Sequence, residues 1–199
     1  MVKVENRIVQ NKLTYKGEVI LKYKIEFPQI RGNERFNMYN YNNALRLQQL
    51  CEKELYEQAK KLYDYNQENR YPLMIFEIIK EYAVTYNYNN IIIYSDEYIF
   101  EGGAHGNTLR YSQNWNLQQG RMIELSELYK RNPNYVSEIL KEINNQIKDN
   151  IQKGKNIYFE DPCCLTSAMF RVENYYLYGE FIAIFYQQYD IAPYSSGIQ

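Results

Sequence analysis

Apolar residues recur at helical spacing in two separate stretches of this chain, and long runs of alternating residues fill much of the rest. The first stripe predicts a helix at about residues 44–64 and comprises Ala44, Leu47, Cys51, Leu55, Ala59 and Leu62. The second predicts a helix at about 133–152 and comprises Val136, Ile139, Leu140, Ile143, Ile147 and Ile151. Spacings of three and four residues put such side chains on one helix face. Asn132-Pro133 is expected to start the second helix and Gly154 to end it.

The alternating runs predict strands. Residues 19–27 alternate apolar with mostly charged side chains, and Pro28 is expected to end this strand because proline cannot donate to a ladder. Val2 and Val4 indicate a partner strand before it, whereas residues 31–43 read as a polar loop.

A long antiparallel hairpin is expected later, with alternation up to Tyr88, turn residues Asn89-Asn90, and a second strand over 91–100. Residues 109–117 predict a strand with one polar face, followed by a turn at Gly120, and 122–129 predict a short strand running into a helical turn. The apolar run 181–186 predicts a central strand covered on both faces. Because helices and strands are segregated, the sequence predicts an α+β fold with antiparallel sheets packed against two main helices.

The overall composition excludes some classes of function and leaves others open. The 199 residues suit one domain or two small halves that fold together, and 23 basic against 24 acidic residues give a net charge of −1. No basic run stands out, so nucleic acid is not an expected partner. The chain shows neither a signal peptide nor an apolar run long enough to cross a bilayer, so we expect a soluble protein, cytoplasmic or a trimmed ectodomain. Three cysteines, Cys51, Cys163 and Cys164, are interpreted as reduced thiols packed as small apolar groups, in preference to a redox or metal role.

The segment Glu101–Thr108 holds the only histidine of the chain, His105, beside Gly102 and Gly103. The glycines permit a tight bend between two strands, and an imidazole titrates near neutrality, which suits acid–base or metal chemistry. A catalytic histidine needs a positioned nucleophile, carboxylate or metal ligand, and no spacing here brings one to the ring. We therefore favour a structural loop whose imidazole bonds to the backbone or to Asn107. No catalytic, cofactor-binding or metal-binding residue is predicted.

Four motifs in order resemble those of the RsiV-like domain family, a domain of unknown function. Residues Tyr98–Asn107 resemble its Y-x-x-x-G-G-A-H-x-N signature, and Ile25–Ile30 its strand end. Asn116–Arg121, with the apolar residues that follow, and Tyr189–Gly197 resemble two further motifs. The family occurs in the extracytoplasmic half of a lysozyme-sensing anti-sigma factor and in front of the catalytic domain of PdaC-type peptidoglycan deacetylases. The candidate functional loop and motif residues are Gly102, Gly103, Ala104, His105, Asn107, Tyr189, Pro193, Tyr194 and Gly197.

The resemblance implies an α+β unit in two parts, a strand–helix–hairpin part over 1–108 and a sheet-and-helix part over 109–199. It implies no catalytic residue and no cofactor, and it places the family outside the membrane. Members continue past the last motif with another strand, so an uncovered sheet edge is expected at the end of this chain. The expected function is a non-catalytic recognition module that resembles the lysozyme-sensing domain of anti-sigma factors and binds a protein, such as a lysozyme-like one, or a cell-wall component. Peptidoglycan binding by exposed tyrosines and hydrolysis by His105 are the alternatives, and the oligomeric state stays open.

Overall fold

A computed structural model describes residues 1–130, 132–155 and 157–199. In these residues, one sheet has the order β1 (Val4–Tyr15), β2 (Glu18–Ile30), β3 (Phe76–Asn87), β4 (Asn90–Phe100), β5 (Asn107–Asn116) and β6 (Arg121–Met122). Neighbouring strands are antiparallel except β2 and β3, which pair in parallel. The α+β prediction is confirmed, and the parallel pair is an addition to it. A helical crossover between β2 and β3 allows the second strand to run in the same direction as the first.

The strand predicted over 19–27 is longer than expected. β2 runs through Pro28 to Ile30, and the partner strand indicated by Val2 and Val4 is β1. Pro28 was wrongly expected to end the strand. Pairing with β3 stops at Ile25, so at Pro28 the strand has a neighbour on one side only and the missing N–H is tolerated.

The helical crossover consists of α1 (Glu34–Leu50), one turn of π-helix (Cys51–Leu55) and α2 (Tyr56–Asn69). The interpretation of 31–43 as a loop was therefore wrong, and the helix predicted at 44–64 is longer at both ends. Asn33 caps α1, since its side chain accepts the Phe36 N–H at 3.0 Å. Phe36 is fully buried and extends the apolar stripe by two turns.

The crossover packs on one face of the sheet and the C-terminal part packs on the other. On the first face, β2 and the crossover share a core formed by Ile20, Leu21, Tyr23, Ile25, Phe27, Ala44, Leu47, Cys51, Leu55, Ala59, Phe76 and Ile78. On the second face, Asn114 of β5 donates to the Tyr175 carbonyl, and the Tyr94 and Tyr176 rings lie 5.0 Å apart. The polar face predicted for 109–117 is thus covered, and Asn114 is buried.

The C-terminal part contains α3 (Leu125–Leu128), α4 (Tyr135–Gln152), α5 (Pro162–Met169) and a two-stranded sheet of β7 (Tyr175–Tyr178) and β8 (Phe181–Ile184). The helix predicted at 133–152 begins two residues later than expected and ends before Gly154, whose φ is +79°. The hairpin predicted around Asn89-Asn90, the turn at Gly120 and the short strand and helical turn after it are confirmed.

The prediction of a central strand over 181–186 was wrong. Within the described residues β8 pairs only with β7, and Phe181 at the hairpin tip is 75% exposed. Burial is confined to Phe185 and Tyr186, because they lie beyond β8 where the chain returns to the core. An apolar run can thus be buried at one end alone.

Cys51 is buried in the first core, and burial raises the pKa of its thiol to about 12. Its packing role agrees with the interpretation, whereas Cys163 is half-buried and Cys164 exposed; all three are free thiols. None of the helices in the described ranges is long and apolar enough to span a bilayer. The division of the chain after residue 108 stays a prediction.

Candidate functional site

The loop Glu101–Gly106 joins β4 to β5 and lies against Leu62 of α2. Gly102 has a φ of +81°, and a Cβ there would overlap the Leu62 side chain and lie 3.3 Å from the Phe76 ring. Gly103 has no such constraint, since its nearest neighbour would be the His105 carbonyl at 3.9 Å. The first glycine is therefore required by both conformation and packing, and the second is not.

Gly106 is a further requirement that sequence reasoning missed. It is buried, and a Cβ at this position would overlap the ring of Tyr98. Its residue type was visible in the motif, but only the packing of the β4 aromatic side chain against the loop shows why a side chain is excluded.

The structure brings the second and the last of the four motifs together. The His105 and Tyr194 rings stack with centroids 4.0 Å apart and planes at 21°. The Tyr189 hydroxyl lies 3.4 Å from His105 Nε2, and the Tyr189 and Tyr194 rings are 6.0 Å apart. His105 is exposed and Tyr189 is 50% exposed. We call this surface, formed by His105, Tyr189 and Tyr194, the aromatic triplet.

Two glutamines hold the second segment against β5. Gln187 Oε1 accepts the Arg110 N–H at 2.9 Å, and its Nε2 donates to the Arg110 carbonyl at 2.7 Å. Gln188 Oε1 accepts the Thr108 N–H at 2.8 Å. These bonds fix the position of Tyr189 next to the loop. Sequence reasoning missed both glutamines, because a side chain that bonds a strand edge leaves no periodic signal.

Tyr189 itself has a φ of +69°, a left-handed conformation that non-glycine residues seldom adopt. The Gln187 N–H donates to Asp190 Oδ2 at 2.7 Å across this bend, which stabilises it. Strain of about 1–3 kcal/mol is typical of such positions, and it concentrates at functional surfaces.

The remaining motif residues shape the chain around the triplet. Pro193 precedes one 3-10 turn, Tyr194–Ser196, and Gly197 follows it with a φ of +72°. Ala104 and Asn107 are exposed. At the expected sheet edge, Gln199 and Tyr186 exchange two backbone hydrogen bonds, of 2.7 and 3.1 Å.

The imidazole of His105 has neutral partners. Its Nδ1 lies 3.0 Å from the Gly106 carbonyl oxygen, which is the backbone bond we expected; the alternative bond to Asn107 is not found. A ring that donates from Nδ1 leaves Nε2 to accept from the Tyr189 hydroxyl. Its chemistry is that of a polar group on an aromatic surface.

Two acidic residues that precede the loop, Asp96 and Glu97, are engaged elsewhere. Asp96 binds Arg110 in a two-bond ion pair of 2.7 and 2.6 Å, and Glu97 binds Lys80 at 3.2 Å. Across the described ranges, no three His, Cys, Asp or Glu side chains are grouped as metal ligands would be.

Two family models match consecutive parts of the chain. The model described as deacetylase PdaC matches residues 15–108, and the model described as a protein of unknown function, DUF3298, matches residues 126–199. No curated protein matches the chain at a significant level.

Two solved structures have a similar fold. A member of the DUF3298 family from Bacteroides fragilis NCTC 9343 has a TM-score of 0.69 at 18% identity, with 100% of this chain and 88% of that chain covered. A DUF3298 family protein from Pseudomonas aeruginosa PAO1 has a TM-score of 0.56 at 16% identity, with the same coverage of 100% and 88%. At these identities the likeness concerns the fold alone. The chain therefore resembles two families in turn, the PdaC model in its first part and the DUF3298 model in its second.

Proposed function

We propose that this chain is a non-catalytic recognition module that binds a protein or cell-wall component outside the cytoplasm through the aromatic triplet. The stacking of Tyr194 on His105 at 4.0 Å, with Tyr189 beside them, carries the proposal. Tyrosine rings offer large, rigid contact areas at low entropic cost, and their hydroxyls add adaptable hydrogen bonds. The triplet is assembled before any partner arrives, so little ordering free energy opposes binding.

A lysozyme-like protein is the preferred partner, on the strength of the motifs shared with the lysozyme-sensing anti-sigma factor family. Titration calorimetry with a C-type lysozyme tests this version. We expect saturable heat with the unaltered chain and at least about tenfold weaker binding with Tyr189→Ala, since aromatic anchors dominate such interfaces.

Tyr178→Ala is the matched control, because Tyr178 is 63% exposed on the β7–β8 hairpin and is not part of the triplet. It should bind lysozyme as the unaltered chain does. Absence of heat together with absence of co-elution would remove lysozyme as the partner.

Peptidoglycan is the alternative ligand, because sugar rings also stack on exposed aromatic side chains. Sedimentation with purified cell wall separates the two versions. Retention by the wall that is lost in Tyr189→Ala and kept in Tyr178→Ala supports the glycan version, and an unretained chain excludes it.

Hydrolysis by His105 is the least favoured version, since both ring nitrogens face neutral groups. It predicts pH-dependent release of soluble fragments from cell wall, abolished by His105→Ala with the fold intact. That result would contradict a non-catalytic module.

A further inference from the structure

A cleft opens between the helical crossover and the β4–β5 half of the sheet. Its volume is about 380 Å³, at the lower end of the range for small-molecule sites. Arg46, Leu50, Lys53 and Glu54 form its wall, and Glu97 and Tyr111 form its floor. None of these residues belongs to the aromatic triplet or to the residues that hold it.

Glu97, on the floor of the cleft, belongs to a nearly buried ion pair. Lys80 and Glu97 are cross-strand neighbours on β3 and β4, joined by a 3.2 Å bond, and their side chains are 12% and 9% exposed. The ring of Tyr111 lies 5.6 Å from Lys80 Nζ. Burying two charges costs solvation that their attraction often fails to repay, so such a pair is weak evidence for a role in stability. Glu97 of this pair lines the open cleft, so a role in binding is the alternative to a role in stability.

The wall is shaped by the π-helical turn Cys51–Leu55. The Tyr56 N–H donates to the Cys51 carbonyl, the wide spacing that accommodates one extra residue in the turn. Cys51 and Leu55 are buried at its two ends, so the residues between them face outward, and Lys53 and Glu54 line the cleft. Single π-turns occur often at functional sites.

Charges of both signs converge on this cleft without being paired to one another. In the described ranges, Arg46, Lys53 and Glu54 take part in no ion pair. Arg46, Glu97 and Tyr111 line the same cleft. Leu50 and the Tyr111 ring add an apolar surface between the charges.

We propose that this cleft binds a free α-amino acid. Arg46 and Lys53 would hold the ligand carboxylate, because guanidinium and ammonium groups form strong charge-assisted bonds to it. Glu54 would hold the α-ammonium, and the ligand side chain would lie on Leu50 and Tyr111. A zwitterion satisfies both signs of charge on the wall, which a simple anion or cation does not.

The test begins with thermal shift and calorimetry on the full chain with each proteinogenic L-amino acid at millimolar concentration. The strongest binder is then compared with its carboxamide and its N-acetyl derivative. We expect saturable binding of at least one amino acid and at least about tenfold weaker binding of both derivatives, because each lacks one charged contact.

Variants of the wall give the second arm of the test. Arg46→Ala and Glu54→Gln should each weaken binding by about tenfold, while Lys61→Ala and Glu68→Gln, exposed positions on α2 outside the cleft, should leave it unchanged. Absence of saturable binding by every amino acid would overturn the proposal. Equal affinity for a derivative, or equal affinity of the wall variants, would overturn it as well.

Discussion

The side chain of Gln187 forms with Arg110 the pair of backbone hydrogen bonds that a neighbouring strand would form. Its amide oxygen accepts the Arg110 N–H at 2.9 Å and its amide nitrogen donates to the Arg110 carbonyl at 2.7 Å. β5 pairs with β6 only at Trp115 and Asn116, so the amide covers an edge that no strand in the described part of the chain reaches. The last motif is thereby attached to the central sheet.

Replacing Gln187 should loosen this attachment. Gln187→Ala removes both bonds and is expected to lower the free energy of unfolding by about 2 kcal/mol, at roughly 1 kcal/mol per bond. Urea unfolding measures the change. Gln118→Ala, at an exposed turn position, is the control and should stay within about 0.5 kcal/mol.

A second readout comes from the imidazole, because His105 is the only histidine in the chain. Its ring protons sense the face of Tyr194 at 4.0 Å. Their NMR resonances should therefore shift in Gln187→Ala and stay in place in Gln118→Ala. An unchanged resonance together with unchanged stability would show that the two amide bonds are not formed in solution.

The sequence could indicate elements whose pattern is local. The hairpin around Asn89-Asn90 was predictable, since turn residues separate two apolar runs. The start of α1 was not, because asparagines around Phe36 look like loop residues and their role depends on burial against the sheet. The contact of His105 with Tyr194 joins segments far apart in sequence, and it depends on bonds from Gln187 and Gln188 that no periodicity reveals.

The glycines of the loop should differ in their tolerance of a side chain. Gly102→Ala forces a left-handed conformation and overlaps Leu62, so we expect a loss of about 2–4 kcal/mol in the free energy of unfolding. Gly103→Ala meets no atom closer than 3.9 Å and should change it by less than about 0.5 kcal/mol. Thermal and urea unfolding of the two variants check this order, and equal losses would contradict it.

Alkaline pH should destabilise the fold through buried tyrosines. Burial raises the pKa of both Tyr23 and Tyr186 to about 12, and it also raises the pKa of Tyr175. The unfolded chain loses these protons near pH 10, whereas the folded chain retains them. Their contribution is therefore complete below about pH 10 and is lost as the pH rises towards about 12. The urea midpoint, followed across this window, should fall.

Removing one of these hydroxyls tests the assignment. Tyr186→Phe deletes the bond to the Thr166 carbonyl at 3.0 Å and should make the alkaline fall shallower. Tyr88→Phe, at a position that is 62% exposed, should leave the slope unchanged. Identical slopes for both variants would assign the fall to other groups.

Removing one partner of the Lys80–Glu97 ion pair should lower the free energy of unfolding more than replacing both partners with apolar residues. Glu97→Gln leaves the Lys80 ammonium nearly buried without its counter-charge, and breaking a buried pair in this way costs about 3 kcal/mol or more. The double variant Lys80→Met with Glu97→Leu removes both charges and should regain most of that loss.

The control is a more exposed cross-strand pair, in which the side chain of Lys22 is 44% exposed and that of Glu77 is 33% exposed. Glu77→Gln breaks this pair and should lower the free energy of unfolding by less than about 1 kcal/mol. Urea unfolding of the four proteins at neutral pH gives the comparison. A double variant as unstable as Glu97→Gln would show that the pair stabilises the fold, and the argument that it is kept for binding would then fail.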